Sequence, residues 1–285
     1  MTLTGAGRVA GVVGSPVTHS LSPLIHNAWL AAARLDGVYV PLSTTPERFA
    51  ALIEGLKGSS FAGLNITVPF KELALAAAAE VTPRAAKAGA ANLLVFAADG
   101  SVVADNTDGL GMVRALRLQA AGLDLSKAPA VVLGAGGAAR GAVAALIAAD
   151  SPRVWVVNRT LARAKAVADL FDDRVVGLGD DQYAQAMEGA GLVVNATTLG
   201  LGGGPGHPVP LERLPLGAVV MDMVYRPLRT GLLARAEALG LVTVDGLEML
   251  IQQAIPSFEA LFGEVPPAGL DVRALVLTAL SSTTP

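Results

Sequence analysis

The chain predicts an α/β fold in two parts. An N-terminal mixed-sheet α/β domain is followed by a doubly wound parallel-sheet domain, and C-terminal helices return to the first. Three observations predict it. Short apolar runs alternate with helical stretches along the whole chain. Asp99-Gly100, between two such runs, signals an antiparallel hairpin in the front third. From about residue 130, six apolar runs mostly separated by helical stretches fit a parallel sheet with crossover helices. With 285 residues, 52% of them apolar, the chain is long enough for both parts to bury a core.

The elements follow in order. Val9 to Val13 reads as a strand. Ser22-Pro23 reads as an N-cap followed by proline at the first helical position, opening a helix to about Ala33. Val38 to Leu42 is a strand, Glu47 to Leu56 a helix and Phe61 to Ile66 a strand. Pro69 ends that strand, because it has no N–H to give the ladder. Lys71 to Ala79 reads as a helix, and Leu93 to Phe96 and Val102 to Ala104 flank the hairpin turn. A helix over Gly111 to Ala121 leads into Ala130 to Leu133, a run suited to burial on both faces. Further strands are expected at Val154 to Val157, Arg174 to Val176, Leu192 to Asn195, Val219 to Met223 and Leu241 to Val244. The glycine- and proline-rich stretch Leu199 to Pro210 reads as a mobile loop. After Gly246 a long helix is expected, kinked or broken at Pro256 and stopped at Pro266-Pro267. The domains expected are therefore 1–107 with 247–285, and 108–246.

Composition narrows the function. A net charge of −3 with scattered Lys and Arg argues against a nucleic-acid surface or an anionic-membrane patch. The absence of cysteine excludes disulfides, zinc–thiolate sites, iron–sulfur clusters and thiol nucleophiles. His19, His26 and His207 lack metal-site spacing, so no metal is expected. The apolar run Ala142 to Ala149 falls far short of the roughly 18 residues that span a bilayer, and Val9 to Val13 is too short for a signal segment. A cytoplasmic protein is expected, with monomer and homodimer both open.

Gly134-Ala135-Gly136-Gly137-Ala138-Ala139 directly follows the Ala130 to Leu133 strand and opens an alanine-rich helix. It matches G-x-G-x-x-A, the fingerprint of a Rossmann dinucleotide site. The first glycine allows a tight turn, the second lets a pyrophosphate approach the backbone, and the small third residue lets helix and strand pack closely. The free N–H groups of the helix start would hold the phosphates. The next strand ends in Asn158-Arg159-Thr160, with Arg163 beyond. An acidic residue there would accept from a ribose 2′-hydroxyl, whereas Arg159 suits a 2′-phosphate and Thr160 could cap the next helix. The cofactor expected is NADP(H).

Polar groups gather where strands end in the front part. Asn65, Thr67 and Lys71 flank the end of the Phe61 to Ile66 run. Ser20 and Ser22 put two hydroxyls beside the free N–H groups of a helix start, a site for a carboxylate. Asn92 enters the hairpin, and Asp105-Asn106-Thr107-Asp108-Gly109 leaves it. The set Gly14-Ser15-Pro16, His19-Ser20-Leu21-Ser22-Pro23, Asn65-Ile66-Thr67-Val68-Pro69-Phe70-Lys71, Asn106-Thr107-Asp108-Gly109, the glycine loop and Asn158-Arg159-Thr160 resembles the shikimate dehydrogenase family. Asn195-Ala196-Thr197, Asp222-Met223-Val224-Tyr225 and Gly246-Leu247 through Gln253 extend the likeness over nearly the whole chain.

The resemblance implies NADPH-dependent, reversible reduction of 3-dehydroshikimate to shikimate in chorismate and aromatic amino acid biosynthesis. By position it implies that Ser20 and Ser22 hold the substrate carboxylate. Asn65, Thr67, Lys71, Asn92, Asp108 and Gln253 would contact the ring oxygens, with Tyr225 nearby. Lys71 and Asp108 would be the catalytic pair. Gly134, Ala135, Gly136, Gly137, Ala138, Asn158, Arg159, Thr160, Arg163, Met223 and Gly246 would line the cofactor. Two positions depart from the family: Leu93 stands where threonine usually follows Asn92, and Glu248 replaces a common glycine. An NAD-preferring quinate/shikimate dehydrogenase shares most of these residues, but Arg159 argues against it. A non-catalytic NADP-binding regulator would be expected to lose Lys71 or Asp108, and a glutamyl-tRNA reductase relative needs a cysteine that is absent.

Overall fold

In the computed structural model, residues 3–204 and 206–282 are described. Pro205, within the expected loop, and residues 1–2 and 283–285, at the ends of the expected first domain, lie outside them. The chain divides into two compact units, residues 1–107 with 253–285 and residues 108–252.

The first unit begins β1 (Arg8–Gly14), α1 (Ser22–Ala33), β2 (Gly37–Ser43), α2 (Pro46–Leu56), β3 (Phe61–Ile66) and α3 (Lys71–Ala76). It continues β4 (Glu80–Val81), α4 (Pro83–Ala88), β5 (Leu93–Phe96) and β6 (Val102–Asp105). The six strands form one mixed sheet in the order β2-β1-β3-β5-β6-β4. β1 runs parallel to β2 and β3, and β5 runs antiparallel to β3 and β6. The hairpin turns at Gly100, whose φ is 82°, and Asp99 accepts the Ser101 N–H at 2.9 Å. Phe49, Leu64, Ile66, Phe70 and Leu94 are at the centre of the core on this sheet.

The second unit runs α5 (Asp108–Gln119), β7 (Ala130–Leu133), α6 (Gly137–Ala148), β8 (Val154–Val157), α7 (Leu161–Ala168), β9 (Val175–Leu178), α8 (Tyr183–Met187) and β10 (Leu192–Asn195). It ends β11 (Val219–Asp222), α9 (Gly231–Ala238), β12 (Val242–Val244) and the start of α10 (Gly246–Phe262). All ladders are parallel, in the order β9-β8-β7-β10-β11-β12. This is the doubly wound order, which reverses direction between β7 and β10. Strand alternation accounts for its two cores. Val132, Val156, Val194 and Met221 enter one, while Val131, Val157, Val193 and Val220 enter the other.

α11 (Val272–Ser282) packs on α1, so the C-terminal helices do join the first unit. One local expectation fails, and a second is narrowed. α1 begins at Ser22 with Leu21 at the N-cap, and no side chain caps it. Ser22 is therefore the first helical residue and not the cap, because Leu21 already adopts helical dihedrals (φ −91°, ψ −6°). Pro256 does not break α10, which continues to Phe262, since Ala254, Phe258 and Leu261 around it are fully buried and packing outweighs the lost N–H. Toward the end of the stretch 199–210, His207 and Val209 are buried. Among the described residues no helix is long and apolar enough to cross a membrane.

Candidate active site

Register brings the polar residues of the first unit to one end of its sheet. Val13 pairs with Ile66, Asn65 with Leu93, and Leu93 with Asp105. The ends of β1, β3 and β6 therefore meet the start of β5. Ile66 N–H donates to Asn92 at 2.7 Å, Asn92 N–H to Asp105 at 3.0 Å, and Thr67 N–H to Val13 at 2.9 Å. Thr67 then leads through the cis Val68–Pro69 bond to Phe70 and to Lys71, the first residue of α3. The Lys71 carbonyl accepts from Ala91 N–H at 2.8 Å, so α3 is pinned beside Asn92.

A buried side-chain network joins these ends. The Tyr39 hydroxyl donates to Asn65 Oδ1 at 2.8 Å, and Asn65 Nδ2 donates to Ser257 Oγ at 3.0 Å and to the Asn92 carbonyl at 3.3 Å. Asn92 Nδ2 donates to Thr107 Oγ1 at 2.9 Å and to Gln253 Oε1 at 3.2 Å, and Asn92 Oδ1 accepts Thr107 N–H at 2.8 Å. Gln253 and Ser257 are one turn apart on α10, with Ser257 Oγ donating to the Gln253 carbonyl at 3.1 Å. Asn65, Asn92 and Gln253 are thus brought together as expected. Tyr39, Thr107 and Ser257 complete the network and were not among the expected site residues. The one signal for Ser257 was its i, i+4 spacing from Gln253.

Asn65 spends both amide hydrogens and one acceptor position inside the protein, leaving one lone pair on Oδ1. Burial pushes the Tyr39 phenol up, partly offset by a hydrogen bond from Ser22. Ser20 Oγ accepts the Ser22 N–H at 3.3 Å, so the two serines flank Leu21, the N-cap of α1. Leu93 is buried at the start of β5.

In the second unit, β7 delivers the chain into Gly134, whose φ is 110°. A Cβ there would stand 2.7 Å from Thr197 Cγ2, so only glycine fits both the turn and the approach. Gly136 is the N-cap of α6 without a side-chain cap, and a Cβ on it would meet nothing within 4 Å. Beside Ala135, Gly137 and Ala138, that opening leaves the helix-start N–H groups available for an anion. Ala139 is fully buried against the sheet. The residues present therefore fit a dinucleotide pyrophosphate. At the end of β8, Asn158 Nδ2 donates to the Thr160 carbonyl at 3.0 Å. Thr160 is the N-cap of α7 by position, but its side chain makes no cap bond, a correction to the expected capping role. Arg159 and Arg163 are exposed. Met223 and Gly246 lie together, since a Cβ on Gly246 would stand 2.5 Å from the Met223 carbonyl. Tyr225, half-buried, follows β11, and Asp108 opens α5. Glu248 is buried in the first turn of α10, donating its N–H to Asp245 and accepting from Gln252. Among the described residues no group of three or more His, Cys, Asp or Glu is placed to hold a metal ion.

Known proteins resemble the chain along most of its length. A family model for the shikimate dehydrogenase substrate binding domain matches residues 12–94, and one for shikimate / quinate 5-dehydrogenase matches residues 116–199. A shikimate dehydrogenase (NADP(+)) of Caulobacter vibrioides is 57% identical over 278 residues, 98% of each chain. One of Rhodospirillum rubrum is 46% identical over 96% of this chain and 99% of its own. The shikimate 5-dehydrogenase of Thermus thermophilus in complex with NADP(H) and shikimate aligns with a TM-score of 0.81 and 39% identity, over 91% of this chain and 95% of that one. A quinate dehydrogenase of Corynebacterium glutamicum in complex with NAD aligns with a TM-score of 0.85 and 30% identity, over 96% and 99%.

Proposed function

The chain belongs to the shikimate dehydrogenase family, and we propose that it catalyses the reversible NADPH-dependent reduction of 3-dehydroshikimate to shikimate. The observation that carries this reading is the 57% identity to an NADP(+)-dependent shikimate dehydrogenase along 98% of both chains. The glycine turn at the reversal of the parallel sheet and the arginine at the end of β8 support NADP(H) as the cofactor.

Bound NADPH would supply hydride chemistry at the ring ketone. The chain's own residues hold the substrate and move the proton. Ser20 and Ser22, on either side of the N-cap of α1, take the carboxylate, aided by the positive end of the helix. Asn65, Thr67, Asn92, Gln253 and Tyr225 take the ring oxygens. Asn65 enters as an acceptor, because Oδ1 keeps its only spare hydrogen-bonding capacity. That polarity suits a ring hydroxyl. Lys71 donates the proton that the developing alkoxide requires, and Asp108 is its partner in acid–base catalysis. Gly134, Ala135, Gly136, Gly137, Ala138, Met223 and Gly246 would line the cofactor, and Asn158, Arg159, Thr160 and Arg163 would take its 2′-phosphate end.

The test is an assay of purified protein with shikimate and with quinate, each with NADP+ and with NAD+. Shikimate with NADP+ should be oxidised fastest. Failure to oxidise shikimate with either cofactor overturns the reading, and fastest turnover of quinate with NAD+ moves the chain to the quinate branch of its family.

A further inference from the structure

We propose that His207 is a positioning residue for NADP(H): it fixes Thr197 against the glycine turn at the reversal point of the parallel sheet. Thr197 lies two residues past β10, beside β7, and its methyl group occupies the space next to Gly134 where any other residue would place a Cβ. The position of Thr197 therefore sets how the turn that receives the pyrophosphate is backed.

The hydrogen bonds around Thr197 have one consistent direction. Its hydroxyl donates to Asn195 Oδ1 at 2.8 Å and accepts the Leu199 N–H at 3.1 Å. His207 Nε2 stands 2.9 Å from the same oxygen. With the Thr197 proton already committed, Nε2 must carry the hydrogen. Nδ1 is then an acceptor for the Tyr183 hydroxyl at 3.2 Å. Beyond Thr197 the chain continues in the same sense. Asn195 Nδ2 donates to Asp222 Oδ1 at 2.8 Å, and Asp222 also accepts from Thr230 at 2.7 Å and from Val224 N–H at 3.0 Å. The relay thus runs from Tyr183 to a fully buried carboxylate, and it needs a neutral imidazole in one tautomer. Burial lowers the His207 pKa, which keeps that form. Arg235 clamps the segment from outside, donating to the carbonyls of His207 and Val209. His207 is therefore held on both sides, although the stretch 201–203 before it is exposed.

The inference rests on the NADP(H) reading above, and the experiment separates the two. NADPH is titrated by its fluorescence into wild type, His207→Phe and His207→Gln, alongside thermal melts and steady-state kinetics. His207→Phe should weaken NADPH on the order of five- to tenfold, the range of one or two lost neutral hydrogen bonds. The KM for shikimate should stay within about twofold. His207→Gln can still donate an amide hydrogen toward Thr197 and should recover most of the affinity. Should His207→Phe prove too unstable to study, Thr197→Val, which keeps the methyl group and removes the hydroxyl, should show the same loss. Wild type that does not bind NADPH overturns the cofactor reading. Wild type that binds, with unchanged NADPH affinity in the variants or with a lowered melting temperature as the only change, overturns the role of His207.

Discussion

Lys71 occupies the first position of α3, and its carbonyl is held by Ala91 N–H. Truncating its side chain therefore leaves the backbone of the site in place. Lys71→Ala should lower kcat by about 10²- to 10⁴-fold, the usual range for a lost general acid, and change KM for shikimate much less. A kcat within a factor of a few of wild type in steady-state assays would remove Lys71 from the chemistry. His26 poses a different question at the same scale. Its ring is fully buried, stacked on Tyr39 at 4.1 Å, and neither ring nitrogen has a hydrogen-bond partner among the described residues. Burial lowers its pKa from 6.5 to about 3. The folded state thus resists protonation while the unfolded chain accepts it, so this residue's contribution to stability is present above pH 6.5 and falls as pH drops toward 3. Between pH 7 and pH 5 the loss amounts to about 2 kcal/mol. His26→Phe keeps an aromatic ring against Tyr39 and removes the titration. Its stability relative to wild type should rise by that amount between pH 7 and pH 5, read by denaturant unfolding at both. The difference between pH values is the useful readout, because a larger ring also brings overpacking costs at every pH. A pH-independent difference would show that His26 is not neutral through its burial.

At the scale of elements, the end of β8 carries the clearest expectation about cofactor choice. Arg159 is exposed there and takes part in no hydrogen bond or ion pair among the described residues, which leaves its guanidinium available to a 2′-phosphate. Arg159→Ala should raise KM for NADP+ on the order of ten- to a hundredfold, the worth of a charge-assisted hydrogen bond, with little change in KM for NAD+. Equal changes in both, measured side by side, would argue that Arg159 acts on folding and not on the phosphate. Buried strands were the most legible elements. Phe61–Ile66, Leu93–Phe96, Ala130–Leu133, Val154–Val157 and Leu192–Asn195 begin and end where their apolar runs do, because burial and sequence pattern coincide there. Exposed or terminal features were not. β4 is two exposed residues, Glu80–Val81, and offers no apolar signal. The start of α1 depends on the dihedrals of Leu21, and Thr160 takes the cap position of α7 without its hydrogen bond, neither of which residue type decides. The break allowed for at Pro256 is absent because a helix anchored by buried residues on both sides tolerates a proline that an isolated helix would not. The glycine- and proline-rich stretch at 199–210 has the composition of a loop, yet His207 is held through both ring nitrogens by Tyr183 and Thr197, contacts that composition does not encode.

At the scale of the whole molecule, the polar clusters could be read one by one, but their joining could not. Tyr39 meets Asn65 across 26 residues and Asn65 meets Ser257 across 192, so those contacts exist only once sheet register and the return of α10 are fixed. The same architecture gives each unit hydrophobic clusters of its own and, by chance of sequence, its own reporter. The two tryptophans of the chain are Trp29 on α1 in the first unit, 2% exposed, and Trp155 on β8 in the second, half-buried near Arg153. A ligand stabilises whatever cooperative body contains its site, by about 2.7 kcal/mol at a hundred times its Kd. Chains with two cores commonly depart from a single two-state transition. Trp29→Phe leaves Trp155 as the sole indole, and Trp155→Phe leaves Trp29, so fluorescence melts of the two variants follow the two units separately. If the NADP(H) groups belong to the second unit and most of the substrate groups to the first, NADP+ should raise the Trp155 midpoint more than the Trp29 midpoint. Shikimate should do the reverse. Each variant is compared with its own ligand-free melt, so any cavity left by the smaller ring cancels. Equal shifts of both signals with either ligand would mean that the units unfold as one body, and opposite assignments would overturn the division of the ligands between them.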